Sequence, residues 1–308
     1  MKSERIRRAY HSNAISRKAD FLFNAIFTAY CLICVSPILL IFMVSISNEL
    51  SLVERGYSFF PTSISLTSYR YLFADPEKIL RAYGVSIAVC VSGTALSVLM
   101  TMLYAYPISR ASFKYRNFFS FYIFFTMLFS GGLVPTYIMY SSYFHLINNP
   151  VMLVVPGLVS AFNVLVVRTF FRLNIPDSVL ESARMDGASE FLIFFRIVAP
   201  LSTPAIATIG LFSVLMYWND WYSCLLYIND AKYYNIQYAM YQALRTIEYL
   251  TSSSANMNMA NFSGEMAKVP AESLRMAMAI IGIGPIVFAY PFFQRYFIKG
   301  LTLGAVKE

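Results

Sequence analysis

Charged side chains are scarce in this sequence. Of its 308 residues, 13% are Asp, Glu, Lys or Arg and 58% are hydrophobic, and the mean hydropathy is +0.57. Soluble domains carry roughly 25% charged and about 45–50% apolar residues, so the composition argues against a water-soluble fold. A spanning helix needs about 20 apolar residues. The length therefore leaves room for several spans with short loops, but not for a large enzyme domain outside the membrane.

Residues of the common catalytic and metal sites are also few. The two histidines, His11 and His145, have no second ligand at a metal-binding spacing, so we expect no metal site. All four cysteines lie in apolar segments, where thiols pack as small hydrophobes, and Cys31-x-x-Cys34 lacks the setting of a redox motif. No Ser or Cys nucleophile motif and no Gly-x-x-x-x-Gly-Lys-[Ser/Thr] phosphate loop occurs. We expect no cofactor in this chain and no ATPase activity of its own.

The net charge of +8 does not indicate nucleic-acid binding. That interpretation needs Lys and Arg to cluster on one solvated face or tail. Here they flank apolar runs instead, so nucleic acid is not an expected partner.

Six apolar segments are predicted to span the membrane as helices. The first follows a basic N-terminus and exceeds the roughly 7–15 residues of a signal-peptide core, so we expect an uncleaved span. Prolines in or near these segments are tolerated, because neighbouring helices can satisfy the freed carbonyls. The predicted spans are 21–44, 84–108, 117–140, 150–171, 201–227 and 274–293.

The distribution of basic residues predicts the orientation. With the N-terminus inside, 16 Lys and Arg fall on inner segments and 8 on outer ones, which places both termini in the cytoplasm. The long outer segments 45–83 and 228–273 are polar and contain turn formers, such as Asp75-Pro76 and the run 251–258. We predict that both are surface loops.

The most informative segment lies on the inner side, between predicted spans four and five. Pro176 is typical of a helix start, and the pattern predicts a helix that runs to about Met185. Asp186-Gly187 should break this helix, and a second short helix should begin near Ser189. Two short helices with small residues at their junction form a compact knob that can fit a groove on a partner protein.

The order Glu-Ser-Ala-x3-Gly-x9-Ile-x-Ala-Pro in residues 181–200 resembles the EAA signature of bacterial ABC-importer permeases. Ser182 stands for the second alanine of that signature and Ala199 for its leucine. Both replacements are mild in size. The order and spacing of the other positions agree with the signature.

Nearly everything after the first 20 residues is similar to the maltose-type permeases for oligosaccharides, and more closely to the branch associated with complex polysaccharides. The stretches 131–137, 217–222 and 294–307 support this resemblance. It implies an all-α polytopic membrane protein with six transmembrane helices and the type I ABC importer permease fold. The expected parts are a cytoplasmic N-terminal segment 1–20 and a permease domain 21–308, with core spans at about 84–293, a cytoplasmic coupling loop 172–200 and a cytoplasmic tail 294–308.

In that family the loop fits a cleft on a separate ATPase subunit, and closure of the ATPase pair moves the spans. The resemblance therefore implies a permease subunit in a bacterial cell membrane that moves a carbohydrate into the cytoplasm by alternating access. The implied partners are the lipid bilayer, a second related permease, two ATP-binding-cassette ATPase subunits that hold ATP and Mg, and an external solute-binding protein. The implied coupling residues are Glu181, Ser182, Ala183, Asp186, Gly187, Ala188 and Glu190.

A simpler interpretation of the acidic loop residues is local. Glu181 and Asp186 could cap helices, and Glu181 could pair with Arg184 three residues later, which is worth a few tenths of a kcal/mol at most. The full signature favours coupling.

Aromatic rings and amides are suited to a sugar path, because rings stack on the C–H faces of pyranoses and amides bind hydroxyls. For the tryptophans the alternative is an interface belt, and for the residues of spans three and four it is packing or interhelical hydrogen bonding. Asp220 favours a path, since a carboxylate at that depth should face a wet cavity or a partner. The candidates are Tyr137, Tyr140, Asn163, Trp218, Asn219, Asp220, Trp221 and Tyr222.

The rival hypothesis is a polytopic membrane enzyme, such as a lipid-linked glycosyltransferase. Such an enzyme needs paired carboxylates or a cluster of metal ligands near a membrane face, and the acidic residues here are scattered. A lone channel would not explain the paired-helix inner loop.

Overall fold

The computed structural model describes residues 17–256 and 270–288, together with Pro291 and Gln294. This part of the chain consists of helices, turns and irregular segments and contains no β-sheet. An isolated antiparallel β-bridge joins Ser47 to Ile64. The predicted N-terminal segment lies mostly, and the predicted tail almost wholly, outside the described residues. The α-helices are α1 Arg17–Ser45, α2 Glu49–Arg55, α3 Thr67–Leu72, α4 Pro76–Ser109, α5 Arg116–Leu128, α6 Leu133–Ile138, α7 Ala161–Asn174, α8 Asp177–Met185, α9 Glu190–Ile193, α10 Ala199–Leu201, α11 Thr203–Asn219, α12 Tyr222–Tyr227, α13 Ile236–Asn256 and α14 Ala271–Ile283.

Three helical stretches are long and apolar enough to cross a membrane without a break: Lys18–Ser45, Pro76–Ser109 and Ala271–Phe288. Three bent helix pairs pass the same test of length and composition. The described residues thus hold up to six spans by length and composition, and these overlap the six predicted segments. The bent pairs are Arg116–Leu128 with Leu133–Tyr143 at 114°, Pro150–Gly157 with Ala161–Asn174 at 51°, and Glu190–Leu201 with Thr203–Asn219 at 81°.

Segments three, four and five are not single straight helices. Gly132, with a φ of +85°, lies at the 114° bend of the third segment. The fourth begins with two short 3-10 turns that carry Pro150 and Pro156, because proline lacks the N–H that a continuing helix needs. The fifth ends early, since α11 stops at Asn219 and Asp220 is extended.

The prediction that both long outer segments are loops is also wrong. The second contains α13, a helix of 21 residues, and the run predicted to turn is helical as far as Asn256. Ile236, Met240 and Ile247 of α13 are buried at helical spacing, so one apolar face stabilises this helix by packing. In the first outer segment, Asp75-Pro76 starts α4 rather than a turn, because the Asp75 carboxylate accepts a hydrogen bond from the Lys78 N–H at 3.3 Å.

Contacts divide the chain into two compact units. The first comprises Met1–Leu72 and Asn258–Ile281. In it, the Glu49 carboxylate on α2 accepts hydrogen bonds from the backbone N–H groups of Glu272 and Ser273, at 2.9 and 3.0 Å. These N–H groups belong to the first turn of α14 and have no partner within the helix. Glu49 therefore caps α14.

The second unit comprises Phe73–Met257 and Gly282–Glu308 and is built around α4. Its core includes Met102, Ala105 and Ile108 of α4, which are buried together with side chains from α7, α8 and the segment that follows α9. α4 thereby connects the loop between segments four and five to the rest of the unit.

Close packing of α4 against α11 depends on glycine. The buried ring of Tyr217 lies against Gly93, where a Cβ would come within 2.6 Å of the ring. On its other side the ring lies near Gly157, and its hydroxyl donates a hydrogen bond to the Val154 carbonyl at 2.9 Å. Two glycines from different elements thus create the space that Tyr217 occupies.

Candidate functional site

The loop between α7 and α11 has the predicted two-helix form. α8 runs from Asp177 to Met185, directly after Pro176. α9 begins at Glu190, and the Ser189 hydroxyl caps it by accepting a hydrogen bond from the Leu192 N–H at 3.4 Å. The predicted start, break and restart of the helices are confirmed.

The turn between the two helices requires glycine. Gly187 has a φ of +83°, a conformation that L side chains rarely adopt. The Ala188 N–H donates to the Ala183 carbonyl and the Gly187 N–H donates to the Arg184 carbonyl, both at 3.0 Å. This pair of bonds is a Schellman motif, which ends a helix and satisfies its last carbonyls.

The seven predicted coupling residues divide between two faces. Ala183 is buried and Ala188 is half-buried, and both pack against the core. The remaining five are exposed: Glu181, Ser182, Asp186, Gly187 and Glu190.

Exposed apolar side chains accompany them, and the sequence prediction missed these residues. Met185, the last residue of α8, is 87% exposed, and Phe191 of α9 is 74% exposed. In the sequence, the only signal for Met185 is that it directly precedes the helix break at Asp186-Gly187. This signal is weak, because the sequence pattern does not reveal which side chains of the loop face outward.

The alternative pairing of Glu181 with Arg184 is not the ion pair that Arg184 forms. Arg184 instead donates from Nε to the Glu190 carboxylate at 2.8 Å, so this ion pair joins α8 to α9 across the turn. This hydrogen bond raises the pKa of Arg184. The pair leaves the Glu181 carboxylate on the exposed face.

The loop is also bound to the Ser109 end of α4. The Tyr106 hydroxyl donates to the second oxygen of Glu190 at 2.8 Å. Arg110, directly after α4, has a buried side chain and donates to Asp177 at 3.1 Å. Both short helices of the loop therefore have a polar contact with the same end of one long helix.

A cavity of 410 Å³ lies beside these contacts. Its apolar walls include Leu103 and Pro107 from α4 on one side and Phe191 and Phe194 from the loop on the other. Tyr106, Arg110, Arg184 and Glu190 supply its polar atoms.

Of the candidate path residues, Tyr137 and Tyr140 lie together. The ring of Tyr137 stacks on Tyr227 with centroids 6.0 Å apart, and Tyr140 meets the same ring edge-on at 5.7 Å. Tyr137 remains 38% exposed. Tyr227 belongs to α12 and was not predicted, because nothing local to it indicates this long-range contact.

Two candidates are buried. Trp218 is 4% exposed, and its indole N–H donates to the Gly282 carbonyl at 2.9 Å. Asn163 is 8% exposed near the start of α7. Both positions agree with packing between helices.

Asp220 has a local partner. Its carboxylate accepts hydrogen bonds from the backbone N–H groups of Tyr222 and Ser223, at 3.1 and 3.0 Å, and so caps α12. The break in the helix thus gives this half-buried acid backbone partners. Asn219, just before it, is exposed and donates from its amide to the Leu215 carbonyl at 2.8 Å.

Trp221 and Tyr222 lie at the start of a series of aromatic rings. Trp221 stacks on Tyr241 of α13 with centroids 4.4 Å apart, and Tyr241 stacks on Tyr238 at 6.2 Å. Tyr222 meets Trp221 edge-on at 5.6 Å and is 43% exposed. α13 was predicted as a loop, so the sequence did not indicate its part in this cluster.

Within residues 17–256 and 270–288, no group of three or more His, Cys, Asp or Glu is placed to hold a metal ion. His145 lies in this part of the chain with a φ of +52°. His11 lies outside the described residues.

Comparisons with known proteins place the chain in a family. A profile of the family "Binding-protein-dependent transport system inner membrane component" matches residues 93–303. The polygalacturonan/rhamnogalacturonan transport system permease protein YtcP of Bacillus subtilis (strain 168) is 37% identical over 292 residues, covering 95% of this chain and 99% of that protein. Protein LplC of the same organism is 37% identical over 275 residues, covering 89% and 90%.

The fold has a solved counterpart. A chain in the crystal structure of a bacterial ABC transporter involved in the import of the acidic polysaccharide alginate has a TM-score of 0.74 to this chain, at 26% identity. The match covers 92% of this chain and 99% of that chain.

These matches confirm the expected family and the all-α type I permease fold. They contradict the rival hypothesis of a membrane enzyme, because the family and the named relatives are transport components. Permeases of this family need no cofactor of their own and work with a solute-binding protein and ATPase subunits. The chain belongs to the family of binding-protein-dependent transport system inner membrane components and is a membrane-spanning permease subunit of an ABC importer.

Proposed function

We propose that this subunit imports a carbohydrate, an oligosaccharide derived from a polysaccharide, and that residues 172–200 couple import to ATP hydrolysis. The observation that carries the coupling role is the turn at Gly187, which joins two short helices and leaves Glu181 and Asp186 exposed. A rigid, exposed, two-helix knob is suited to a cleft on an ATPase subunit. The relatives named for polygalacturonan and alginate support the substrate class.

The proposed assembly pairs this chain with a second, related permease and two ATPase subunits that bind ATP and Mg, with the solute-binding protein outside. Apolar surface supports a partner in the membrane. Most of α1 before its buried end at Val44 and Ser45 is exposed, with Phe27 at 64% and Ile33 at 68%. Lipid or a second permease must cover such side chains.

The proposed orientation places both termini and the coupling loop in the cytoplasm. The excess of Lys and Arg on those segments supports it, and so does the supply of ATP on that side. We further propose one permease domain over 21–308, preceded by a cytoplasmic segment 1–20, with the tail 294–308 inside.

Among the path candidates, exposure separates two groups. Four candidates are exposed, and we assign them to the solute path: Tyr137, Asn219, Trp221 and Tyr222. Their rings and amide offer stacking faces and hydrogen bonds for a sugar. Trp218 and Asn163 are buried, and we assign them to packing; Asp220 positions the start of α12.

Transport by the reconstituted complex tests the substrate class. We expect ATP-dependent uptake of a radiolabelled oligogalacturonide into vesicles that hold the permeases and ATPases, when the solute-binding protein is supplied. Neutral malto-oligosaccharide at the same concentration serves as the comparison. Absence of uptake for every oligosaccharide tried, with an assembled and ATP-hydrolysing complex, would contradict the carbohydrate assignment.

Two variants test the coupling role in that assay. Gly187→Tyr should abolish uptake while the chain still reaches the membrane, because a bulky side chain at the turn would not fit the ATPase cleft. The double variant Glu181→Ala/Asp186→Ala should keep hydrolysis but lose its stimulation by the loaded binding protein. The isolated chain should hydrolyse no ATP. Normal uptake by Gly187→Tyr at wild-type expression would rule out the docking role.

A further inference from the structure

The Ser109 end of α4 and the neighbouring end of α7 are joined by reciprocal arginine caps. Arg110 donates from Nη2 to the Phe171 carbonyl at 3.4 Å and from Nη1 to the Ile175 carbonyl at 3.3 Å. In return, Arg168 of α7 donates to the Ile108 carbonyl at 3.3 Å. Each cation satisfies carbonyls at the C-terminal end of the other helix, where the dipole favours positive charge. The two helix ends therefore form one rigid base.

The coupling loop has a polar contact with this base at each of its two helices. At α8, Asp177 in the first turn accepts from Arg110 at 3.1 Å. At α9, one oxygen of Glu190 accepts from Tyr106 and the other from Arg184, each at 2.8 Å. Glu190 therefore connects α4, α8 and α9 through a single carboxylate.

On one side of the loop, its packing against α4 is interrupted by a cavity. The cavity of 410 Å³ separates Leu103 and Pro107 of α4 from Phe191 of the loop. Tyr106 crosses this gap, because its ring lies 5.5 Å from that of Phe194 and its hydroxyl reaches Glu190. A hydrogen bond to a charged group is roughly twice as strong as a neutral one. The polar contacts are therefore the connections that cross this cavity.

We infer that Tyr106 and Arg110 are positioning residues that transmit movement of the coupling loop to α4, and through it to the packed helices α7 and α11. This inference rests on the proposed function, since it requires that an ATPase moves the loop. It adds that the movement enters the membrane part through the second apolar segment, by the Tyr106–Glu190 and Arg110–Asp177 contacts, and not only through the spans that flank the loop.

Tyr106→Phe tests this step, because it removes the hydroxyl and keeps the ring packed. We expect the ratio of solute-stimulated to basal ATP hydrolysis in the assembled complex to fall about 5-fold or more, the lower end of common coupling effects. The amount of ATPase that co-purifies should stay the same. Tyr104→Phe is the matched control: it lies on the same helix, but its hydroxyl donates to the Phe119 carbonyl of α5 at 3.1 Å. It should behave as wild type.

A double-mutant cycle separates transmission from a general structural role. Glu190→Ala should lower the ratio as Tyr106→Phe does, and the combined variant should be no worse than Glu190→Ala alone. Glu190→Gln keeps an acceptor for Tyr106 and should recover part of the stimulation. Asp177→Ala, at an exposed carboxylate, should lower the ratio through the second contact.

Unchanged stimulation in Tyr106→Phe, or additive effects in the cycle, would overturn the inference. The proposed function would fail differently: Gly187→Tyr would then retain bound ATPase and normal uptake, whatever Tyr106→Phe did. If Gly187→Tyr loses uptake while Tyr106→Phe couples normally, the loop docks as proposed and transmission takes another route.

Discussion

At the scale of single residues, backbone conformation and exposure divide the coupling loop into parts with different duties. Gly187 provides a left-handed turn with open space around it, since no atom lies within 4 Å of a Cβ built there. Ala183 and Ala188 pack inward, and the acidic residues stay outside. Small size at the junction therefore has two causes, one conformational and one steric.

Gly187→Ala separates the conformation from the space. A left-handed φ costs a non-glycine residue about 1–2 kcal/mol, so the variant should distort the turn, bind less ATPase and take up less solute. Gly56→Ala is the matched control, because Gly56 has a φ of +76° and equal open space in a different segment. With a ψ of −171° its backbone lies in a region that is essentially restricted to glycine, so Gly56→Ala carries backbone strain of its own and should still leave ATPase binding unchanged. Equal binding by both variants would mean that the turn at Gly187 has no special role.

Met185 should contribute to docking although the sequence signature does not include it. Its side chain is 87% exposed, so Met185→Ala should leave the thermal stability of the chain unchanged. Methionine is enriched at interfaces. We therefore expect Met185→Ala to weaken binding of the ATPase by more than about 1 kcal/mol, which raises the Kd about 5-fold. Leu50→Ala, at a residue 74% exposed on α2, is the control. Biolayer interferometry with the detergent-solubilised chain would measure both, and equal affinities would contradict the expectation.

At the scale of elements, α4 is the helix on which the second unit is assembled. It packs on α11 where Gly93 admits Tyr217, it is capped to α7 through Arg110, and it contacts the coupling loop through Tyr106. Its start at Asp75-Pro76 follows from local capping chemistry, whereas its central position follows from contacts distant in sequence.

Gly93→Ala should weaken this assembly. The added methyl group would lie 2.6 to 2.9 Å from atoms of the Tyr217 ring, and overpacking of this kind costs about 1–3 kcal/mol. The unfolding temperature of the detergent-solubilised chain, followed by tryptophan fluorescence, should fall. Gly84→Ala on the same helix has no atom within 4 Å of its new methyl group and should be neutral or slightly stabilising. If the two variants have the same unfolding temperature, α4 and α11 do not pack closely at Gly93.

At the scale of the whole molecule, orientation in the membrane decides which surface meets ATPase and which meets solute. In the proposed orientation the coupling loop lies on the side of ATP. The aromatic cluster around Trp221 then lies on the other side, because it joins the outer half of the fifth predicted span to the predicted outer segment 228–273. The helices alone do not decide between the two orientations, since length and apolarity are the same from either side.

Cysteine accessibility tests the orientation. In a background with Cys31→Ser and Cys34→Ser, which removes the exposed thiols, a membrane-impermeant maleimide should label Asn229→Cys in intact cells. It should label Ser182→Cys only after the membrane is opened, in cells that lack the ATPase subunits. Both positions are exposed. Labelling of Ser182→Cys from outside would reverse the proposed topology.

The sequence alone determined the properties that arise from composition and local chemistry. Scarce charge and six apolar segments indicate a polytopic helical protein, because hydrocarbon excludes unpaired backbone groups. The two-helix loop follows from residues adjacent in the chain: Pro176 at a helix start, Gly187 at a left-handed turn and the cap at Ser189. The spacing of the EAA signature was enough to indicate the family.

Only the tertiary structure decided which side chains meet across the chain. Trp218 could line a path or anchor an interface by its type, but its indole is buried and donates to Gly282, 64 residues away. The sequence of α13 predicts a polar loop, and only the packing of its apolar face shows that it is a helix. Likewise, nothing near Tyr106 in sequence indicates Glu190, 84 residues further on. Each of these contacts depends on how distant elements pack, and a residue's type and immediate neighbours carry no information about a partner that only folding brings near.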